Sequence, residues 1–334
     1  MRVSIIIPVY NVSDYVERCI NSVMAQTYTD LECIIVDDCT PDDSVEKCER
    51  LIAQYNGPIV FKIMHHDHNR GLSAARNTGT DAAHGEYIFY LDSDDEITSD
   101  CIALMVAEAE RHPEVEMVSA AIESIPHNDY YDKSFYSMYH HFDGNWNIRA
   151  TFFAFDHPIH ITAWNKLIKQ SFISKTNLSF IDGILSEDEV WTFSFMLKCH
   201  SLSILPNKTY IHYDTANSIM NSFNYNSRCE TLCTILDKNI TQIGSPLARL
   251  QIYYCIQHLF EGYQGVRRKR YAVISRHLAL LLFKQRKPLL SVQTIIYFRF
   301  YSSFHLKKYH ESFFNYFNMI YQKESTLRTI SPCE

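Results

Sequence analysis

A CxxC pair, an apolar run long enough to cross a bilayer and a glycine-rich turn after the first strand are all missing from this chain. Its ten cysteines follow no regular spacing, which argues for buried or incidental thiols in a reducing compartment and against a disulfide framework. No stretch approaches the roughly 20 apolar residues that a membrane-spanning helix needs. The first apolar run starts at Val3, contains Pro8 and has no leader before it, so no secretory signal is expected. "PVYNVSD" stands where a dinucleotide-dependent oxidoreductase carries its glycine-rich phosphate loop, and where a nucleotidyltransferase carries a glycine- and basic-rich one. Both classes lose their main support there. Internal repeats and low-complexity segments are also missing.

Acid is missing from one long segment. Between Gly262 and His310 there are basic residues from Arg267 to Lys308 and no Asp or Glu. The formal net charge of -7 therefore hides a basic tail and a strongly acidic remainder, and the two regions face different partners or solvents.

What is present fits a folded α/β chain. At 334 residues there is room for one large domain with an appendage, or for two. "VSIIIPVY", "LECIIVDD", "IVFKIMHH", "EYIFYLD" and "VEMVSAAI" are strand-like runs separated by helix-like stretches, a pattern that predicts a mainly parallel sheet with helices on its faces. Ser13 is the expected N-cap of the first helix, and a helix is expected after Gly71. Beyond about Tyr130 the pattern becomes irregular and aromatic, and beyond about Asn224 it looks helical.

Each strand that leads into chemistry ends in polar residues: Tyr10 and Asn11, Asp37 and Asp38, then Asp92, Ser93, Asp94 and Asp95. Ligands in open parallel sheets bind beyond the carboxyl ends of the strands. Three carboxylates in four positions repel one another unless a cation or hydrogen-bond donors neutralise them. Oxygen-only ligation by Asp92 and Asp94 suits Mg²⁺ or Mn²⁺, while a helix cap is the bland alternative. "HHDH" at His65, His66 and His68 looks like a metal site on paper, but alternation along a strand points His65 and His66 to opposite faces.

"SIIIPVYN", "IIVDDCTPD", "HNRGLSAARNTG", "GEYIFYLDSDD" and "SEDEVW", in that order and spacing, resemble the family 2 glycosyltransferases of the GT-A fold. The resemblance covers about residues 1 to 220 and is strongest before residue 100. It implies a GT-A type, Rossmann-like, mainly parallel sheet with helices on both faces. A catalytic domain over 1–224 would have a nucleotide-sugar half at about 1–100 and an acceptor half at about 101–224, followed by a helical, basic extension over 225–334.

It further implies an inverting transfer from a nucleotide-sugar, the UDP form foremost, to a saccharide hydroxyl. The base would lie near Pro8, Tyr10 and Asp38, with Tyr10 offering an aromatic face and Asp38 an acceptor. Asp37 would brace its loop. Arg70 and Arg76 would meet the base or a phosphate, or Arg76 would act as a brace. Asp92 would sit on the ribose or metal side, Asp94 would be the main metal ligand, and Asp95 would be structural. Asp188 of "LSEDEVW" would be the general base, with Glu187 on donor or acceptor hydroxyls; the plain reading of the same residues is an acidic helix N-terminus.

Trp164 would stack on an acceptor sugar ring or pack in the core, and Trp191 would wall the acceptor side of the site. His212, in "YIHYDTANSIMNS", could approach the metal; Asp214 follows Tyr213 where relatives often carry a basic residue. Many bacterial relatives use lipid-linked acceptors, so the basic segment over 267–308 suits either peripheral contact with the inner face of the cytoplasmic membrane or a solvated basic cover. Nucleic acid is not an expected partner, since no reader motif accompanies the charge.

Overall fold

The apolar runs of the first hundred residues form the strands expected of them. In the computed structural model, which describes residues 1–215 apart from 130, 132–133, 146–147, 149–151, 153–158 and 185–186, these are β1 (Val3–Val9), β2 (Leu31–Asp37), β3 (Val60–His65) and β4 (Tyr87–Tyr90). They run parallel in the order β3-β2-β1-β4. β1 and β2 are buried along nearly their whole length, as strands covered on both faces must be. β3 is the edge strand, with Val60 56% exposed.

Alternation sorts the strand residues between two layers of helix. Ile5, Ile7 and Val9 share a core with Val16 and Ile20 of α1 (Val16–Met24), Cys48 of α2 (Ser44–Gln54) and, further along the chain, Met105 of α4 (Cys101–Arg111). On the other face Ile6 meets α3 (Leu72–Asp81) at Gly79, where an added Cβ would stand 2.4 Å from Ile6 Cγ2. Gly79 is therefore a contact glycine, and its missing side chain lets α3 lie against the sheet.

The second half extends the same sheet. After the short β5 (Glu96–Ile97) come β6 (Met117–Ile125), β7 (His140–Asp143), β8 (Lys166–Lys169) and β9 (Ser201–Tyr213), and the order continues β4-β8-β6-β9-β5, with β7 also pairing to β9. β8 is antiparallel to both β4 and β6, so β6 and β9 point the same way as β1. A 3-10 turn at Ser134–Ser137 and helices α5 (Gln170–Thr176) and α6 (Glu187–Lys198) complete the described elements.

Two expectations change. Ser13 does not cap α1, which begins at Val16 without a side-chain cap; the Ser13 N–H instead donates to Asp42 at 2.8 Å and its hydroxyl to Asp43. That pairing fastens the turn after β1 to the turn after β2. The "YIHY" start of the expected closing loop is the end of β9. The helical extension over 225–334 lies outside the described residues. Among the described residues no helix is long and apolar enough to cross a membrane.

Gly79→Val should lower stability by about 1–3 kcal/mol, the usual cost of overpacking a filled core. Urea denaturation measures this, and an unchanged midpoint would mean that α3 can shift away from Ile6.

Candidate active site

The end of β4 alternates in the same sense as the strand it leaves. Asp92 and Asp94 are partly exposed, whereas Ser93 and Asp95 are buried. Asp95 turns inward and accepts hydrogen bonds from the Tyr210 hydroxyl at 2.8 Å and the Tyr213 N–H at 2.9 Å, and it pairs with His212 Nδ1 at 3.1 Å. It thereby ties the end of β9 to the end of β4. Asp94 accepts from Thr215 Oγ1 at 3.3 Å, and its backbone carbonyl accepts from Arg18. Arg18 also lies 3.5 Å over the Tyr213 ring.

Burial and the neighbouring Asp95 charge push the Asp94 carboxyl up to about 6. A carboxylate in that position is short of compensating charge. With Asp92 on the same side of the chain, the pair presents an oxygen-only donor set that fits Mg²⁺ or Mn²⁺.

A buried arginine joins this strand end to α6. Arg76, on α3 and 1% exposed, donates from Nη2 to Asp92 at 2.7 Å and from Nη1 to Glu187 at 2.9 Å and Asp188 at 2.5 Å. Burial pulls its pKa down, but the Asp188, Asp92 and Glu187 carboxylates outweigh burial and hold it above the ordinary arginine range. Of the two roles open to Arg76, this geometry supplies the brace. Asp188 also accepts the Ala163 N–H at 3.0 Å, which fixes the plane of its carboxylate. Burial, and then the Asp188 charge, raises the Glu187 carboxyl above its usual range. These residues form the acidic first turn of α6, so the helix-start reading of "SEDEVW" holds whatever further role they have.

At the other strand ends Pro8 is buried in β1, and Tyr10 stands 45% exposed just beyond it. Asp38 is 3% exposed and accepts the N–H groups of Arg70 at 2.8 Å and Gly71 at 2.7 Å. Gly71 has φ +87°, a conformation that favours glycine, and it starts α3. His66 pairs with Asp38 at 2.6 Å and with Thr78 at 2.9 Å, while His65 pairs with Asp37 at 2.9 Å. The two histidines thus serve different carboxylates. Asp37 also accepts the Thr40 N–H at 2.8 Å. The Arg70 residue is exposed beside this loop.

The tryptophans are placed differently from the acceptor-side expectation. Trp164 is 4% exposed and stacks on Tyr210 at 4.4 Å and on His212 at 5.4 Å. Trp191 is 2% exposed and stacks on Phe180 at 5.2 Å, edge-on to Tyr90. Both are filled into aromatic clusters, because their neighbours already cover the faces a sugar would need. His212 has its Nδ1 on Asp95. Arg18, Tyr210 and Thr215 were not singled out from sequence; their partners lie 76 to 121 positions away. His66 stood out only as part of a metal-like cluster, and its pairing with Asp38 and Thr78 did not.

A mainly parallel sheet whose carboxyl ends carry an aromatic, a buried aspartate and a DxD pair has the GT-A architecture. The model of glycosyl transferase family 2 matches residues 4–176, over half of the chain, and the chain belongs to that family. Similar proteins include EpsH of Bacillus subtilis (strain 168), 32% identical over 212 residues that make up 63% of this chain and 60% of EpsH. Solved structures of like fold include S. aureus TarS 1-349 in complex with UDP-GlcNAc, with TM-score 0.63, 18% identity and coverage of 90% of this chain and 92% of that one. The Pyrobaculum calidifontis mannosyltransferase PcManGT in complex with GDP-Man and Mn²⁺ has TM-score 0.53, 15% identity and coverage of 90% and 88%.

Arg76→Met should cost about 3–5 kcal/mol at neutral pH, since it strands three carboxylates. Burial already raises the pKa of Asp92 and Glu187. They take up protons more readily in the folded chain than in the unfolded one, so the deficit should shrink as pH falls toward about 5. Denaturation midpoints of both chains across a pH series test this, and a deficit that grows on acidification would contradict it.

Proposed function

We propose that this chain transfers a sugar from a nucleoside diphosphate sugar, the uridine form foremost, to a hydroxyl of a saccharide acceptor, with inversion at the anomeric carbon. The observation that supports the reading is the convergence of Asp92 and Asp188, from distant parts of the chain, on Arg76. Tyr10 offers the nucleobase an exposed ring, with Asp38, Arg70 and the buried Pro8 behind it.

Asp188 takes the proton from the acceptor hydroxyl as that oxygen forms its bond to the anomeric carbon. The bond from that carbon to the diphosphate breaks on the opposite side. Glu187, raised toward its protonated form by burial, holds a sugar hydroxyl. A Mn²⁺ or Mg²⁺ ion on Asp94 and Asp92 would neutralise charge on the departing diphosphate. His212 supports that pair indirectly, through Asp95.

The nucleotide-sugar complexes of the two solved neighbours are in keeping with this donor class. Residues 1–100 serve as the donor half and 101–224 as the acceptor half. A lipid-linked acceptor at the cytoplasmic membrane face, in surface polysaccharide synthesis, would suit the basic segment over 267–308, which lies outside the described residues.

Asp188→Asn should keep donor affinity and lose transfer by about 10²–10⁴-fold, as a base used only in the transition state would. Calorimetry with UDP-sugars, paired with product analysis, checks both halves; near-normal turnover would remove Asp188 from the role. Asp94→Ala should abolish the Mn²⁺-dependent part of UDP binding while leaving the metal-independent part. Unchanged affinity in Mn²⁺ would place the ion elsewhere.

A further inference from the structure

At the amino ends of β6 and β9, the opposite end of the sheet from Asp92 and Asp94, two histidines and two carboxylates meet. His112, just after α4, and His141, in β7, stack with ring centroids 4.0 Å apart. Glu114 Oε1 lies 3.3 Å from His112 Nδ1 and 3.6 Å from His141 Nε2. Asp143 Oδ2 lies 3.3 Å from that same Nε2. The ligating atoms of Glu114, His141 and Asp143 all stand within 4.8 Å of one another. None of these residues takes part in the proposed sugar transfer.

We propose that Glu114, His141 and Asp143, joined by His112, form a second metal site, for a late first-row divalent cation with Zn²⁺ foremost. Four nitrogen and oxygen donors around Zn²⁺ stand about 3.3–3.6 Å apart when each bond is about 2.0–2.2 Å. The three separations above match that spacing. Ligating histidines anchor their other ring nitrogen on a fixed partner, and both do so here. His141 Nδ1 is 2.9 Å from Ser203 Oγ. His112 Nε2 is 3.2 Å from the Tyr139 hydroxyl, which donates to the buried Glu108 at 2.8 Å; Arg111 holds the other oxygen of Glu108 at 2.9 Å.

Glu114 and Asp143 are 51% and 67% exposed along their side chains, which leaves the ion a way in. His112 completes the set through Nδ1, which already lies 3.3 Å from Glu114 Oε1 while Nε2 stays on Tyr139. Mixed imidazole and carboxylate donors favour Zn²⁺ and its neighbours over Mg²⁺, so this site differs in preference from the oxygen-only pair at Asp92 and Asp94. The bound ion would pin the turn after α4 to β7. Its rival is a proton on His141 Nε2 shared with the two carboxylates.

The test titrates the metal-free full chain with Zn²⁺ alone by calorimetry and follows thermal unfolding with and without Zn²⁺. A binding event that persists in Asp94→Ala, weakens at least tenfold in His141→Gln and weakens about tenfold in Ser203→Ala is expected. The Zn²⁺-dependent rise in Tm should vanish in His141→Gln. Should that variant fail to fold, Asp143→Asn, altered at an exposed carboxylate, is expected to show the same loss. Co²⁺ added to the unaltered chain should give tetrahedral-type visible absorption that Zn²⁺ displaces. No zinc binding by the unaltered chain, or equal binding by His141→Gln and Asp143→Asn, would overturn the site and leave a proton-bridged cluster.

Discussion

One guanidinium organises the carboxyl end of this sheet. Arg76 is buried from water, and a buried charge costs several kcal/mol unless its partners are close and well aimed. Here the partners come from two distant parts of the chain, Asp92 at the end of β4 and Glu187 and Asp188 at the start of α6. Neither group of carboxylates would sit comfortably beside the other without the arginine between them. Three carboxylates against one guanidinium still leave a surplus of negative charge, and the raised pKa of Asp94 next door has the same sign. The carboxyl end of the sheet thus carries more negative than positive charge at this point.

The neighbouring loops solve a related problem by a different route. Asp38 is nearly as buried as Arg76, but among the described residues no Lys or Arg side chain pairs with it. Two backbone N–H groups and His66 compensate it instead. The positive φ of Gly71 contributes to this, because it turns that N–H toward the carboxylate while opening α3. Through His66 the same carboxylate is linked to Thr78, so the loop at Arg70 and Gly71, the end of β3 and α3 share one polar cluster.

The parallel half of the fold was legible in the sequence because strands covered on both faces are written as unbroken apolar runs, and β1, β2 and β4 are such runs. The strands that escaped notice lack that mark. β8 and β5 are too short to show a period, and β9 is interrupted by Pro206 and Asn207. The carboxylates of the site stood out because charge at the end of an apolar run is conspicuous. Arg76 was noticed as well, though the sequence could not choose between ligand and brace, a choice that rests on residues 16 to 112 positions away. The tryptophans misled for the opposite reason. An aromatic near acidic residues reads the same whether its face is open or covered, and only packing decides that Phe180 and Tyr210 cover these two.

β9 takes more residues than its partner to span the sheet. Against β6 its register runs from Leu205 opposite Ala120 to Lys208 opposite Ala121 and Tyr210 opposite Ile122, so extra residues are absorbed in two adjacent shifts. Those shifts set which side chains of the last four residues face Asp95, namely Tyr210 and His212. Side chains on a strand alternate with period two. Losing one residue between 205 and 210 would put Ile211 and Tyr213 in the places of Tyr210 and His212 behind the DxD turn, and gaining one would put Thr209 and Ile211 there, although none of those side chains had itself been changed. Length in that short stretch is therefore under tighter constraint than identity, and natural variation there should be sought in substitutions and not in insertions or deletions.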